Sequence, residues 1–335
     1  MKLQKADFSE KGKYPIIDQS QNDISGWTDD KDAVIDEGKP LVIFGDHTCA
    51  VKYVDKPFVQ GADGIKILKT DDRLLPKFLF YLLKATPIVS DGYKRHFSKL
   101  KETKILLPPL EVQEKIVAEI DGYQKIIDGV RQIVENYKPT IKINPAWPVV
   151  ELSELVSINE NTIDPVKEYG QKEFCYIDIT SVENGTGEMS FDNKIKGIDA
   201  PSRARRKVSK GDVLLSTVRP NLKAFAYLTD IPDNSIASTG FAVLSPTEKV
   251  VGQYIYYLLF DDFLQKQMIE RMGKGAYPSI NQSDVEHLKI PLAPIGEQKR
   301  IAEEIESEQK IVNENKKLIE IFEKKISDTI SALWA

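Results

Sequence analysis

The chain has 335 residues, a length that predicts about two domains. Charged residues make up 29%, apolar residues 41%, the formal net charge is -5, and only Cys49 and Cys175 carry thiols. That composition excludes a disulfide scaffold and a fibrous protein, and argues against coating nucleic acid without sequence preference. No apolar run approaches the roughly 18 residues a membrane helix needs, and Met1–Asp7 has no signal-peptide core, so a reducing, cytoplasmic setting is expected.

Taken in chain order, Leu41–Phe44 and Gly64–Leu68 are short β-branched or aromatic runs bounded by turn residues, which predicts strands. Leu75–Lys84 reads as a helix. A basic cluster follows at Lys94, Arg95 and His96, with Lys99 and Lys101. After Pro108–Pro109 a helix is predicted over about 110–138, about 43 Å long at 1.5 Å per residue. Ile116, Ile120, Tyr123, Ile127, Val130, Val134 and Tyr137 recur on it at alternating steps of four and three, a heptad seam. Pro139 and Pro145–Pro148 end it. Further strands are predicted at Phe174–Ile177, Asp212–Ser216 and Ala224–Tyr227, and a helix over Gly252–Met272. A second long helix is predicted over about 295–332.

The chain repeats itself. At an offset of 185 residues Lys104, Ile105, Pro109, Gln113, Ile116 and Ile120 meet Lys289, Ile290, Pro294, Gln298, Ile301 and Ile305. Upstream the offset becomes 176, where Gly64–Leu68 meets Gly240–Leu244 and Tyr81–Leu83 meets Tyr257–Leu259. The second seam runs Ile301, Ile305, Glu308, Val312, Asn315, Ile319, Phe322 and Ile326. Its polar members either fix register or mark a less buried stretch. Two in-phase seams after two related units predict antiparallel pairing of the helices, with the units at the ends of a rod. The competing arrangement is two separate helices, each covering its own domain.

Catalytic signatures are missing from the sequence. There is no GxxxxGK[ST] loop, His47 and Cys49 assemble no zinc set, and no metal site or cofactor is expected. Glu314-Asn315-Lys316 and Glu323-Lys324-Lys325 echo nuclease triplets but lie on the heptad helix. Cations do cluster locally, at Arg203, Arg205, Arg206 and Lys207, then at Arg219 and Lys223. Lys274 and Tyr277 precede the polar run Asn281-Gln282-Ser283. Arg and Lys beside phosphates supply affinity while Arg, Asn and Gln read base edges. Taken singly, such clusters equally suit a solvated surface.

The run Ala200–Lys223, the run Asn281–Leu292 followed by Pro294 and Glu297-Gln298, and the repeated exit Ile105–Gln113 resemble the specificity subunits of type I restriction-modification systems. The resemblance covers nearly the whole chain. It implies an α/β (α+β) fold of two β-rich mixed target-recognition domains separated by two long helices in an antiparallel coiled coil. The implied domains are an N-terminally shortened first recognition domain at 1–108, a spacer helix and linker at 109–143, a second recognition domain at 144–293, and a second spacer helix at 294–335. In the first domain a strand and loop equivalent to Val149–Ile158 is lacking, and Lys39–Tyr53 has no counterpart to Arg203–Lys207. The resemblance further implies a non-catalytic subunit that reads a bipartite site on double-stranded DNA. It would dock two modification (methyltransferase) subunits and restriction subunits, whose S-adenosylmethionine and ATP are the partners' own. Arg203, Arg205, Arg206, Lys207, Arg219, Lys223, Lys274 and Tyr277 are the expected DNA contacts of the second unit, and Lys94 and Arg95 those of the first. The alternatives are a coiled-coil adaptor that does not bind DNA, and a cryptic nuclease.

Overall fold

A computed structural model describes residues 7–61, 64–92, 94–273 and 278–333. The chain forms two units, one drawn from Met1–Asn136 and Glu314–Ala335, the other from Tyr137–Asn313. No described helix is long and apolar enough to cross a membrane.

The first unit contains β1 (Tyr14–Ile17), β2 (Gly26–Thr28), β3 (Val34–Ile35), β4 (Leu41–Gly45), β5 (Val51–Val54), β6 (Phe58–Gln60), β7 (Ile65–Leu68), α1 (Pro76–Ala85), α2 (Phe97–Glu102) and α3 (Leu110–Asn136). One sheet has the order β2-β1-β6-β3, the other β5-β4-β7. β1 runs parallel to β6, with Ile16 opposite Val59, and every other pairing is antiparallel. All five residues of β4 are buried, which explains its unbroken apolar run. α1 lies against β4 and β5.

The second unit contains β8 (Val149–Glu151), β9 (Val156–Ile158), α4 (Pro165–Tyr169), β10 (Glu173–Ile177), β11 (Lys194–Lys196), β12 (Ala204–Lys207), β13 (Val213–Ser216), β14 (Phe225–Tyr227), β15 (Ser235–Ser238), β16 (Phe241–Pro246), α5 (Gly252–Phe260), α6 (Asp262–Arg271), α7 (Gln282–Glu286) and β17 (Lys289–Pro291). α8 (Ile295–Ser331) begins in this unit and ends in the first. The sheet orders are β11-β10-β15-β12 and β14-β13-β16-β9, with β17 paired to β8.

Strand for strand, the first unit repeats this plan. The parallel pair β1–β6 answers to β10–β15, and β5-β4-β7 answers to β14-β13-β16. β8, β9 and β17 have no counterpart strand among the described residues of the first unit. The topology also relocates one comparison. Lys39–Tyr53 forms the β4–β5 hairpin and answers to β13–β14, so the position of the Arg203–Lys207 run falls instead on β3, where Val34 and Ile35 stand.

The helix expected over Gly252–Met272 is two helices. Asp261 turns to an extended conformation after Phe260, and its carboxylate accepts the Phe263 N–H at 2.9 Å, capping α6. Separately, α2 and the two- to three-residue strands β2, β3 and β6 escape periodicity altogether.

α3 pairs antiparallel with the C-terminal part of α8. Thr329 donates to Glu119 at 3.4 Å, the Tyr123 and Phe322 rings lie 5.4 Å apart, and Arg131 meets Glu323 at 3.1 Å. Ile120 and Ile127 are buried on this seam, while Ile116, Tyr123, Val130 and Val134 are half-buried, as are Asn315, Ile319 and Phe322 on α8. Ile116 and Ile120 also pack with Phe78, Tyr81 and Leu82 of α1. Correspondingly, Ile301 and Ile305 enter the core of the second unit beside Tyr254, Ile255 and Leu258. Val312 is buried, and Glu308 accepts a hydrogen bond from the Tyr137 hydroxyl at 3.1 Å. The first turns of α3 therefore serve a globular core as well as a helix seam, while those of α8 enter the core of the second unit.

Candidate nucleic-acid interface

In the second unit a chain of backbone hydrogen bonds gathers four loops along one edge. Thr239 N–H donates to the Arg203 carbonyl at 2.8 Å, just before β12. Thr217, just after β13, donates to Gly240 from both N–H and hydroxyl, at 2.8 and 2.9 Å. Ile280 N–H donates to Thr217 at 2.9 Å, and Arg219 N–H to Pro278 at 2.8 Å. Arg203 and Arg219 are thereby brought to one neighbourhood with Pro278–Ile280. Lys274 and Tyr277 precede that segment in sequence but lie outside the described residues.

The cations of β12 are not equivalent. Arg203 and Lys207 are exposed. Arg205 and Arg206 are partly buried because residues 161–163 lie along the outer edge of the strand. Ile163 N–H donates to Arg205, Lys207 N–H to Asn161, and Thr162 pairs with Arg206. A register shift between Ala204 and Arg206 bulges the strand at Arg205. The Arg205 guanidinium donates to the Ser202 carbonyl at 3.1 Å and lies 3.3 Å from the Asp164 carboxylate. Burial pushes the Arg206 guanidinium below its ordinary value, and its Nε is buried without a hydrogen-bond partner.

Lys223 is placed differently from the sequence expectation. It adopts a left-handed backbone, φ 59°, as does Arg219 at φ 50°. Its amine donates to the Phe260 carbonyl at 3.3 Å, at the C-terminus of α5 where a cation is favoured. It therefore closes the loop onto α5. Asn161 and Thr162 are exposed polar groups beside the Arg run that the charge pattern passed over. The only sequence signal for them is the polar stretch Asn159–Thr162 after β9.

The first unit repeats the loop geometry with different side chains. Asp46 N–H donates to Gly64, and His96 N–H to Asp46 at 2.7 Å, as Thr217 and Ile280 do in the second unit. Lys94 and Arg95 are exposed and stand where Pro278 and Ser279 stand. His96 is buried: its Nε2 accepts the Asp91 N–H at 3.0 Å, so Nδ1 carries the proton toward the Asp46 carbonyl at 3.1 Å. Burial pushes the Asp46 carboxyl up, but the Phe97 N–H, Lys66 and the His96 N–H outweigh it and hold the group below its ordinary value. Those N–H groups lie 2.9 and 3.0 Å from Oδ1. Among the described residues no group of three His, Cys, Asp or Glu is able to hold a metal ion.

Comparisons with known proteins agree with this architecture. The chain is 23% identical to the Methanocaldococcus jannaschii type I restriction enzyme MjaVIII specificity subunit, over 88% of this chain and 77% of that one. It is 22% identical to the Escherichia coli EcoR124I/EcoR124II specificity subunit, over 92% and 82%. The crystal structure of a type I restriction-modification S subunit from M. genitalium superposes with a TM-score of 0.60 at 17% identity, covering 99% of this chain and 91% of that one, a likeness of fold. The type I restriction modification DNA specificity domain family matches residues 1–136 and 144–323, so this chain, with its two copies of one unit and their long helices, belongs to that family of specificity subunits.

Proposed function

We propose that the chain reads a bipartite sequence on double-stranded DNA for a type I restriction-modification complex, without catalysing a reaction itself. The supporting observation is the duplicated scaffold: two units of one topology carry different residues at the same loop positions. One backbone plan used twice with different side chains suits two half-sites of different sequence. The recognition domains would be 1–108 and 144–293, and the spacer helices 109–143 and 294–335.

In the second unit Arg203, Lys207 and Arg219 are assigned to phosphate or base contact, with Lys274 and Tyr277 on the adjoining segment. Arg205 and Arg206 contribute a positive strand whose charge Asp164 partly offsets. In the first unit Lys94 and Arg95 take the equivalent edge. A net charge of -5 leaves little non-specific attraction, so tight binding requires two methyltransferase subunits docked on the chain. Restriction subunits complete the complex.

The test is methylation-site sequencing of DNA from cells expressing the chain with its modification subunits. A split motif with a fixed gap is expected, and exchanging residues 144–293 for those of another specificity subunit should change one half only. Methylation without a split motif, or a motif unaffected by the exchange, would overturn the proposal.

A further inference from the structure

Resting on that bipartite reading, we propose that Gln113 and Gln298 are positioning residues for half-site spacing. Each pins the first turn of a long helix to its own recognition unit and so fixes the register from which the gap between half-sites is measured.

The two residues do the same thing in both units. Gln113, the fourth residue of α3, is fully buried. Its Oε1 accepts the N–H of Leu75, the residue before α1, at 2.9 Å. Its Nε2 donates to the carbonyls of Arg73 and Pro108, each at 2.8 Å. Gln298, the fourth residue of α8, is 1% exposed. Its Oε1 accepts the N–H of Val251, the residue before α5, at 2.8 Å. Its Nε2 donates to Ala293 at 2.8 Å and to Lys249 at 3.5 Å. Three segments of each unit meet at one amide: the chain entering the short helix, the exit run, and the first turn of the long helix. A second polar contact recurs two turns further on, where Lys77 meets Asp121 at 2.7 Å and Gln253 meets Glu306 at 3.3 Å.

The apolar contacts beside these amides do not choose a register by themselves. Burial of Ile116 and Ile120, or of Ile301 and Ile305, is non-directional, so a helix rolled or shifted in its groove keeps much of it. An amide whose donors and acceptor are all engaged is satisfied in one pose only. Displacing it leaves a buried N–H or carbonyl unpaired. One helical turn is about 5.4 Å and one base pair about 3.4 Å, so a slip of less than a turn already amounts to a base pair. A solvated polar side chain at this place would tolerate any register; full burial makes the amide selective.

The experiment compares the full chain with Gln113→Met and Gln298→Met, each assembled with its modification subunits. Duplexes carry the two half-sites found by methylation sequencing, with the native gap or a gap changed by one base pair. The reading is the ratio of methylation rates on native and altered gaps within one preparation, from which the fraction of folded complex cancels. The ratio should fall at least about tenfold in each variant, the consequence of one unpaired buried group. Gln298→Glu should regain discrimination as pH is lowered, because a protonated carboxyl donates where Nε2 did. If a methionine variant fails to fold, the glutamate variants at each position carry the same comparison. Unchanged ratios in soluble variants would overturn the proposal. A wild-type complex that methylates every gap equally would overturn the bipartite reading instead.

Discussion

Replacing Arg203 and Lys207 together by glutamine separates a DNA edge from a solvated charge cluster. Both side chains are exposed at the two ends of the densest run of cations, Arg203 just before β12 and Lys207 at its end. Each phosphate neutralised contributes about 0.9 to the slope of log K against log salt, so the double variant should be shallower by about 1.8. Between 50 and 200 mM salt, that difference amounts to roughly 12-fold less loss of affinity than wild type suffers. Arg205→Gln should change the slope by less than about 0.9, because Asp164 already lies 3.3 Å from its guanidinium. Lys223→Gln should leave the slope unchanged, since that amine is engaged by the Phe260 carbonyl. Anisotropy titrations of the assembled complex on its cognate duplex, repeated across the salt range, supply all four slopes. A double variant with the wild-type slope, or a Lys223 variant that loses as much as the Arg203/Lys207 pair, would refute the placement of the DNA edge.

Asp46→Ala removes the carboxylate that accepts the Phe97 N–H, while the His96 N–H keeps the Asp46 backbone carbonyl, and should destabilise the first unit by roughly 1–3 kcal/mol near neutral pH, read by urea unfolding. Because the folded carboxyl is held below its ordinary value, that stabilisation is complete above the unfolded-state value and is lost as pH falls through the folded one. The gap between wild type and variant should therefore narrow in acid, and a gap constant with pH would contradict the assignment. Ile127→Ala, at 2% exposure in the helix seam, should cost about 3 kcal/mol in a thermal melt, while Ile126→Ala, 40% exposed, should stay within about 0.5 kcal/mol. Equal effects would mean the seam is wrongly phased. Gly187→Ala should destabilise the second unit by at least about 2 kcal/mol, since φ is +74° and a Cβ would fall on the Tyr256 hydroxyl and 2.7 Å from the Phe225 carbonyl. A melt unchanged from wild type would show that the turn relaxes freely.

The long helices were legible because a heptad is a local property, carried by every third or fourth residue of one segment. Their antiparallel pairing was legible too, from two in-phase seams, and α3 does pair with the C-terminal part of α8. What the first turns of α8 pack against was not. Ile301 and Ile305 continue the phase of the seam yet enter a globular core, since periodicity reports a buried face and is silent about its partner. Parallel pairing of β1 with β6 joins segments some forty residues apart through strands of three or four residues, too short for alternation to register. The break at Asp261 depends on one carboxylate capturing one N–H within an otherwise helical pattern. The candidate interface divided in the same way. Clusters of Arg and Lys were visible as composition, but the bulge at Arg205, the Asp164 contact and the engagement of Lys223 depend on which segments lie alongside. Gln113 and Gln298 aligned in the repeat, but an alignment of two amides says nothing of their burial. Their role becomes visible only with the chain segments folded around them.

The first unit is discontinuous in the chain, completed by residues that follow the whole of the second. On the ribosome the second unit is therefore able to close as soon as its own residues emerge, while the first must wait for the end of α8. At about 5–20 residues per second, the delay between Asn136 and the arrival of Glu314 is roughly 10–40 s. Through that interval the apolar faces of α3 at Ile120 and Ile127 lack their final cover. The partner helix that gives the finished protein its seam thus also sets the window in which the nascent chain is most exposed to chaperones and to misassociation.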